Sequence, residues 1–467
     1  MKARLLALVH DIRASYWFIP SVMVAAAIAL CIGATALDAR IGSGWIESVP
    51  WLYANRPEGA RGFLTTVAGS MIGVAGVTFS ITIASVVYAS GQYGPRLLTN
   101  FMSDRGNQVT LGTFIATFVY CLLTLRSIRA EGEAAEAAGA FVPHVAVTVG
   151  MGLAMASVGV LIFFIHHVPE SIHVSNVIAG IGRDLRAKVD TLFPERIGRA
   201  EPGEEAEASD AVRTEMPEGF YDDAEPVAAD GAGYVQAIDV DAMLEAAEAH
   251  DLLLRLRHRP GDFVASGDAL VLAWPSASLS PEACETLRTA FAWGRHRTAI
   301  QDVRFLVNEL VEIAARALSP GVNDPFTAIS CLDWLSAALK CLAEREFPSA
   351  DRYAADGTLR VVAEPTTFRE FAGQVYGQLR PYVSADRNAA LHTLKTIGEV
   401  GARASGDRRR VLRHHADAVL QGAQASLTLD ADRESVAERH RLVVHLLAGH
   451  VNMQEAATEA DWIGGTA

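Results

Sequence analysis

Four long apolar runs in the first 165 residues constrain the fold of this chain more than any other feature. None of them contains Asp, Glu, Lys or Arg, and a helix needs about 20 apolar residues to cross the hydrocarbon core of a bilayer. The first run has no convincing cleavage site, which favours an uncleaved anchor over a secretory signal. The sequence therefore predicts a four-span α-helical membrane domain over residues 1–168, with spans at 17–37, 63–88, 109–125 and 145–165.

Basic residues are distributed unequally around these runs. Ten Lys or Arg residues lie at the amino terminus, between the second and third runs, and after the fourth run, whereas five lie in the other two connections. Connections that stay in the cytoplasm carry the excess of Lys and Arg. This distribution predicts that both termini, and the long segment after the fourth run, are cytoplasmic.

The composition excludes several classes of function. The formal net charge of −14 is unsuited to nucleic acid, because binding phosphates needs a basic surface. The five cysteines form no C-x-x-C pair, so neither a zinc site nor a disulfide framework is expected, and no cofactor is implied. No nucleophile elbow, phosphate loop or Ser/His/Asp set is found, and the protein is not expected to be an enzyme. Proton-coupled transport is disfavoured because it usually needs an ionisable residue inside the membrane.

The second apolar run carries two contrasting faces at helical spacing. Small residues recur on one face, where close helix packing is the first interpretation. Hydroxyl residues recur on the opposite face, where they either bond to their own helix carbonyls or line a conduit between several copies. The packing candidates are Gly69, Gly73, Gly76 and Ser80, and the pore-lining candidates are Thr78, Thr82 and Ser85.

The segment that follows the fourth run continues as a juxtamembrane helix over residues 169–200. His166, Glu170 and His173 are spaced i, i+4, i+7, which places them on one face of a continuous helix. Two imidazoles and a carboxylate can bind a divalent metal. An ordinary helix surface collects the same residue types, so a metal site and a plain helix surface both remain open.

The rest of the chain divides by composition. Residues 201–232 are acidic and rich in Pro, Gly and Ala, which predicts a linker or insert. Residues 233–276 alternate as strands around a Pro-Gly-Asp turn, which predicts a small β-barrel-like, half-barrel module; no lysine is present to make it a swinging-arm carrier. Residues 281–460 have a 3.6-residue apolar period and predict a helical bundle.

The stretch "ALSPGVNDPFTA", residues 317–328, joins two of these helices. Pro320-Gly321 permits a tight reversal, and Asp324-Pro325 is an N-cap followed by Pro at the first helical position. A structural explanation therefore covers the stretch, while a helix amino terminus can also attract an anion. The ligand-binding candidates for a small anionic ligand are Asn323 and Asp324, with Gln301 and Asp302 from the preceding helix.

Three runs of the sequence resemble one family. "ALSPGVNDPFTA" with "QDVRFLVNELVEIA" before it, "GSMIGVAGVTFSITIASVVYASGQYGPRLLTNFMSDRGNQVTLG" and "HHVPESIHVSNVIA" are similar to the predicted bacterial membrane proteins numbered 2254 among the domains of unknown function. The resemblance extends over residues 10–430. It implies a four-span protein of the bacterial inner membrane with a cytoplasmic domain, and no particular activity.

Two functional hypotheses remain open from the sequence. One is an oligomeric channel or passive transporter, in which the hydroxyl face of the second run lines a pore between copies and the cytoplasmic domain gates it. The other is a membrane-anchored sensor or scaffold that binds a ligand or partner through its cytoplasmic domain. The lipid bilayer is a partner in both hypotheses, and a pore built from four spans per chain requires a homo-oligomer.

Overall fold

The computed structural model describes residues 15–41, 57–94, 104–129, 141–193 and 215–458. The chain divides into two units. The N-terminal unit comprises residues 10–173, and the C-terminal unit continues from residue 174. Each unit is described by itself below.

The N-terminal unit contains four long helices. They are α1 (Phe18–Ile41), α2 (Pro57–Tyr93), α3 (Arg105–Ser127) and α4 (His144–Ile172). α3 contacts each of the other three helices, and its large side chains Phe114 and Tyr120 are fully buried. The other three helices leave most of their apolar side chains exposed or only partly buried, as expected for helices that face lipid.

Polar side chains inside the N-terminal unit bond to neighbours of the same unit. The hydroxyls of Thr117 and Ser157 are 3.2 Å apart, and Thr124 lies 3.5 Å from the thiol of Cys31. The carboxylate of Asp38 accepts hydrogen bonds from the backbone N–H groups of residues 145 and 146, at 2.9 and 3.0 Å. These bonds satisfy groups that lipid cannot solvate.

Five described helices are long and apolar enough to cross a membrane: α1 to α4, and a helix of the C-terminal unit, α10 (Pro325–Glu344). The first four agree with the predicted apolar runs. α10 packs against four helices of its own unit, the environment of a core helix. The number of four spans stays a prediction.

The C-terminal unit starts with a helix and a β-rich region. The elements in order are α5 (Val174–Leu192), α6 (Phe220–Asp223), β1 (Glu225–Ala228), β2 (Gly233–Ile238), α7 (Val240–Ala249), β3 (Leu253–Leu256), β4 (Phe263–Val264), β5 (Ala269–Trp274), α8 (Pro281–Thr289) and β6 (Phe291–Gly294). Helices follow, interrupted by one more pair of strands: α9 (Val303–Ala317), α10, β7 (Asp351–Tyr353), β8 (Leu359–Val362), α11 (Phe368–Ala372), a π-helical turn (Gly373–Gly377), α12 (Gln378–Val383), α13 (Arg387–Gly401), α14 (Gly406–Ser426), α15 (Asp430–Leu447) and α16 (Met453–Thr458).

The strands form two sheets rather than one half-barrel. The larger has the order β1-β5-β3-β8-β7, in which only the β3–β8 pair is parallel, and the smaller has the order β4-β2-β6. A single apolar core that includes Leu254, Val271 and Phe291 packs the strands against α7 and α8. The β-region is therefore wider than the predicted module at 233–276, because β1, β6, β7 and β8 lie outside those limits.

The predicted acidic linker is also more structured than its composition indicates. Its described part, residues 215–232, contains α6 and β1. Phe220 is fully buried, and β1 pairs with β5, so this segment is an edge of the larger sheet. Residues 201–214 lie outside the described residues.

The predicted juxtamembrane helix is α5, which ends at Leu192 and belongs to the C-terminal unit. Its apolar face, with Ile178, Ile181 and Leu185, packs against α9 and α10. Gly182 lies directly against the ring of Trp334 on α10. The helix is therefore part of the core of its unit rather than an isolated connector.

Candidate anion-binding cavity

A cavity of ≈290 Å³ opens in the C-terminal unit between the β-region and the helices. Its apolar wall includes Leu192 and Phe193 at the end of α5, with Leu256 and Phe371. Its polar wall is rich in cations, and pockets of this kind, mostly apolar with a few converging polar groups, are typical ligand sites. The polar lining residues are Arg257, His258, Arg259, Gln301, Asp302, Arg304, Arg352, Glu364 and Thr366.

A buried carboxylate organises one side of the cavity. Asp302 is 3% exposed and lies between two guanidinium groups, with Arg297 Nη2 at 2.7 Å and Arg304 Nε at 3.2 Å. Arg304 also pairs with Asp262 at 3.1 Å. Burial alone lowers the pKa of Arg304, but the two carboxylates outweigh it and the pKa is raised above its usual value. The negative charge of Asp302 is therefore balanced by arginines of the same unit.

The backbone at Gly261 passes so close to Asp302 that no side chain fits at that position. Gly261, in the Pro-Gly-Asp turn after β3, has φ +92°, and a Cβ at this position would overlap the carboxylate of Asp302. Only glycine adopts such a backbone without strain. Gln301 exchanges two hydrogen bonds with the backbone of Ile238, accepting from its N–H at 2.8 Å and donating to its carbonyl at 3.2 Å. Gln301 and Asp302 thus hold the wall of the cavity, and their polar atoms are already paired.

The remaining charges of the lining leave an excess of cations. Glu364 pairs with Arg255 at 2.9 Å, and Arg259 pairs with Glu370 at 3.0 Å. Two lining cations, Arg257 and Arg352, have no carboxylate within ion-pair distance among the described residues. Arg257 is exposed, whereas Arg352 is partly buried.

Arg352 is the lining residue that most favours an anionic ligand. Its Nη1 donates to the backbone carbonyls of Ser349 and Asp351, at 2.5 and 2.9 Å. Burial lowers the pKa of the guanidinium below its ordinary value, and Asp351 offsets only part of that effect. A partly buried charge that no carboxylate contacts directly is unfavourable, and an anion in the cavity would relieve it.

The other two ligand candidates lie elsewhere. Asp324 caps α10 as predicted, with Oδ1 accepting from the N–H of Thr327 at 3.1 Å and Oδ2 from its hydroxyl at 2.6 Å. Asn323 is an exposed residue with φ 49° whose N–H donates to the carbonyl of Ser319 at 2.9 Å. The 15 residues of α9 separate this corner from Asp302, about 22 Å at the helical rise. The four predicted residues therefore do not form one site.

The hydroxyl face of α2 is buried inside the unit and the small-residue face is exposed, which is the reverse of what a pore between copies needs. Thr78 and Thr82 are 3% and 4% exposed, and they donate to the carbonyls of Ala75 at 3.0 Å and of Thr78 at 2.9 Å. Ser85 is partly buried. The predicted packing residues Gly69, Gly73, Gly76 and Ser80 are exposed instead, and a Cβ at the three glycines meets nothing within 4 Å. The hydroxyls thus face the other helices of this unit, and the small residues face outward.

The three predicted metal candidates do not lie on one continuous helical face. α4 ends at Ile172, and His173 has an extended backbone, so it does not continue the helical face of His166 and Glu170. No group of three His, Cys, Asp or Glu residues has metal-binding geometry in the described part of the chain. The neighbouring His167 has a structural partner: its Nε2 lies 2.9 Å from the carboxylate of Asp104, the N-cap of α3.

The cationic wall was not predicted from the sequence. Residues 255–260 read Arg-Leu-Arg-His-Arg-Pro, a basic run at the end of a strand in an acidic chain, and this was the available signal. No local pattern predicted that Arg352 lines a cavity. It lies on the short strand β7, and the surrounding sequence has a helical pattern.

The fold defines a membrane protein in which a small set of apolar helices precedes a larger mixed α/β unit. The chain belongs to the predicted membrane protein family numbered 2254 among the domains of unknown function, which it matches over residues 13–399.

The chain is similar to two uncharacterised proteins from Mycobacterium bovis and Mycobacterium tuberculosis. Each is 33% identical over 438 residues, which cover 92% of this chain and 80% of the relative. No solved structure matches the chain.

Proposed function

We propose that the protein is a membrane-anchored sensor or scaffold whose C-terminal unit binds a small organic anion in the cavity. The observation that carries the proposal is Arg352, a partly buried cation that lines the cavity without a carboxylate partner among the described residues. The apolar wall fits the carbon skeleton of the ligand, and the guanidinium fits its carboxylate or phosphate. In this proposal both termini, and therefore the cavity, are on the cytoplasmic side of the bacterial inner membrane.

The test is calorimetric titration of the full-length protein in detergent with a panel of probes. The probes are inorganic phosphate, phosphate monoesters, and linear monocarboxylates of increasing chain length. Arg352→Gln is expected to weaken binding at least about tenfold, because a charge-assisted hydrogen bond in a partly dry site contributes about 1.5–3 kcal/mol. The matched control is Arg403→Gln, which removes an arginine of the exposed pair with Glu344 and leaves affinity unchanged. No binding from the whole panel, or equal affinity in the Arg352 and Arg403 variants, contradicts the proposal.

A homo-oligomeric channel is the second candidate, and the outward small-residue face of α2 is the observation that favours assembly. Helices associate in membranes where small residues let two backbones approach. The burial of Thr78 and Thr82 counts against those hydroxyls as the lining of a pore between copies.

Gly73→Ile is expected to reduce the oligomer fraction several-fold in native mass spectrometry from detergent, because the added side chain separates the backbones. Gly33→Ile on α1 is the control, since Gly33 is also exposed and its Cβ also meets nothing within 4 Å. A monomeric parent protein, or equal loss in both variants, removes the support for assembly through this face.

A further inference from the structure

Three contacts inside the C-terminal unit fix the direction of α5 relative to α9 and α10. Arg345, just after α10, donates to the carbonyls of Val189 and Phe193 at the end of α5, at 2.9 and 2.6 Å. Lys188 donates to the carbonyl of Ile300, just before α9, at 3.1 Å. The carboxyl end of α5 therefore lies beside the end of α10 and the start of α9, so that α5 is parallel to α10 and antiparallel to α9.

It follows that the corner between α9 and α10 lies at the amino-terminal end of α5. Gly182 of α5 is packed against Trp334 of α10, and eight residues before each of them are Val174 and Phe326. Because both helices rise 1.5 Å per residue, Phe326 is level with Val174. The corner and the cavity thus occupy opposite ends of α5.

The corner presents apolar side chains to the outside. Phe326 is 71% exposed and Val322 is 46% exposed. Asp324 is the only charged residue between Arg316 and Asp333, and its carboxylate caps α10. Exposed apolar residues that lie together, rather than scattered singly, mark sites that bind a partner or a membrane.

Val174 follows His173 directly, and the apolar run of the fourth helix ends at residue 165. The eight intervening residues extend the chain by about 12 Å at the helical rise. Along the chain, α5 therefore begins eight residues after the end of that apolar run, and the corner is packed beside the beginning of α5.

We propose that the corner at residues 318–326 inserts Val322 and Phe326 into the headgroup region of the lipid bilayer. The occupant is lipid, because the exposed patch is apolar, uncharged and held close to a bilayer by a short covalent connection. The interaction is independent of the ligand proposed for the cavity. It gives the stretch "SPGVNDPF" a role beyond reversing the chain: the turn places an apolar tip, and the Asp324 cap keeps the carboxylate out of it.

The test uses the full-length protein in nanodiscs, with an environment-sensitive fluorophore on Phe326→Cys or on Tyr353→Cys. Tyr353 is an exposed aromatic residue of β7, next to Arg352 of the cavity. The background is Cys284→Ser, because Cys284 is partly exposed and the other four cysteines are buried. That background without an added cysteine measures non-specific labelling.

Lipids with a nitroxide in the headgroup region are expected to quench the label at 326 at least about threefold more than the label at 353, and emission at 326 is expected to be blue-shifted only when lipid is present. Equal quenching at the two positions overturns the proposal. A blue shift at 326 that persists in lipid-free amphipol also overturns it, since a protein surface would then cover the corner.

Discussion

Asp302→Ala is expected to lower the melting temperature of the C-terminal unit by about 6–12 °C. Removing one partner of a buried ion pair leaves uncompensated charge and costs about 3–5 kcal/mol, and each kcal/mol shifts a unit of this size by roughly 2–4 °C. Together these figures give about 6–20 °C. Arg297 and Arg304 are each about one-fifth exposed, so water offsets part of the loss and the lower half of this range, about 6–12 °C, is expected.

The measurement is tryptophan fluorescence during a thermal ramp of the detergent-solubilised protein, because Trp274, Trp293 and Trp334 all lie in the C-terminal unit. Glu434→Ala is the matched control: it removes a carboxylate from the exposed pair with Arg441, and such pairs contribute little to stability. Equal melting temperatures for Asp302→Ala and the parent protein would show that the carboxylate is not needed to hold the cavity wall.

Gly182→Leu is expected to destabilise the C-terminal unit by about 3 kcal/mol, because a Cβ at this position would overlap the ring of Trp334. Inserting side-chain atoms into a packed contact costs typically 1–3 kcal/mol, and leucine adds four carbons where none fits. α5 is then expected to separate from α10, which should expose Leu185 and Val189 to solvent.

Gly180→Leu is an unusually close control for this prediction. It lies on the same helix, gains the same helix propensity, and its Cβ meets nothing within 4 Å. Hydrogen exchange of the α5 amides should rise by an order of magnitude or more in the Gly182 variant and stay unchanged in the Gly180 variant. Similar exchange in both variants would mean that the α5–α10 contact tolerates a leucine.

The sequence was sufficient for the four apolar helices and for the start of α10. Apolar runs and cap residues are local signals, and the Asp324 cap with Pro325 after it is where the pattern predicted it. The β-region was harder to delimit, since β7 and β8 have only three and four residues, and β8 pairs with β3, far away in the chain, while β7 pairs with β8.

Periodicity showed that α2 has two distinct faces, but it gave no sign of which face meets the rest of the unit. Thr78 is buried and Gly73 is exposed because α3 and α4 pack on the hydroxyl side, a fact of tertiary structure. The charge of the cavity wall could not be predicted either, because it depends on ion pairs between residues that are far apart in the sequence. Whether an arginine has a counter-ion is decided by residues such as Asp262, Glu364 and Glu370, which no local pattern connects to it.

The bond between Asp38 and the start of α4 has a consequence for biogenesis. The carboxylate sits at the end of the first helix, and its two N–H donors are made more than a hundred residues later. Until the ribosome has delivered the fourth helix, that carboxylate has no amide partner there and must stay hydrated. The hydrogen bonds that join the first helix to the fourth therefore form only after the fourth helix has been synthesised.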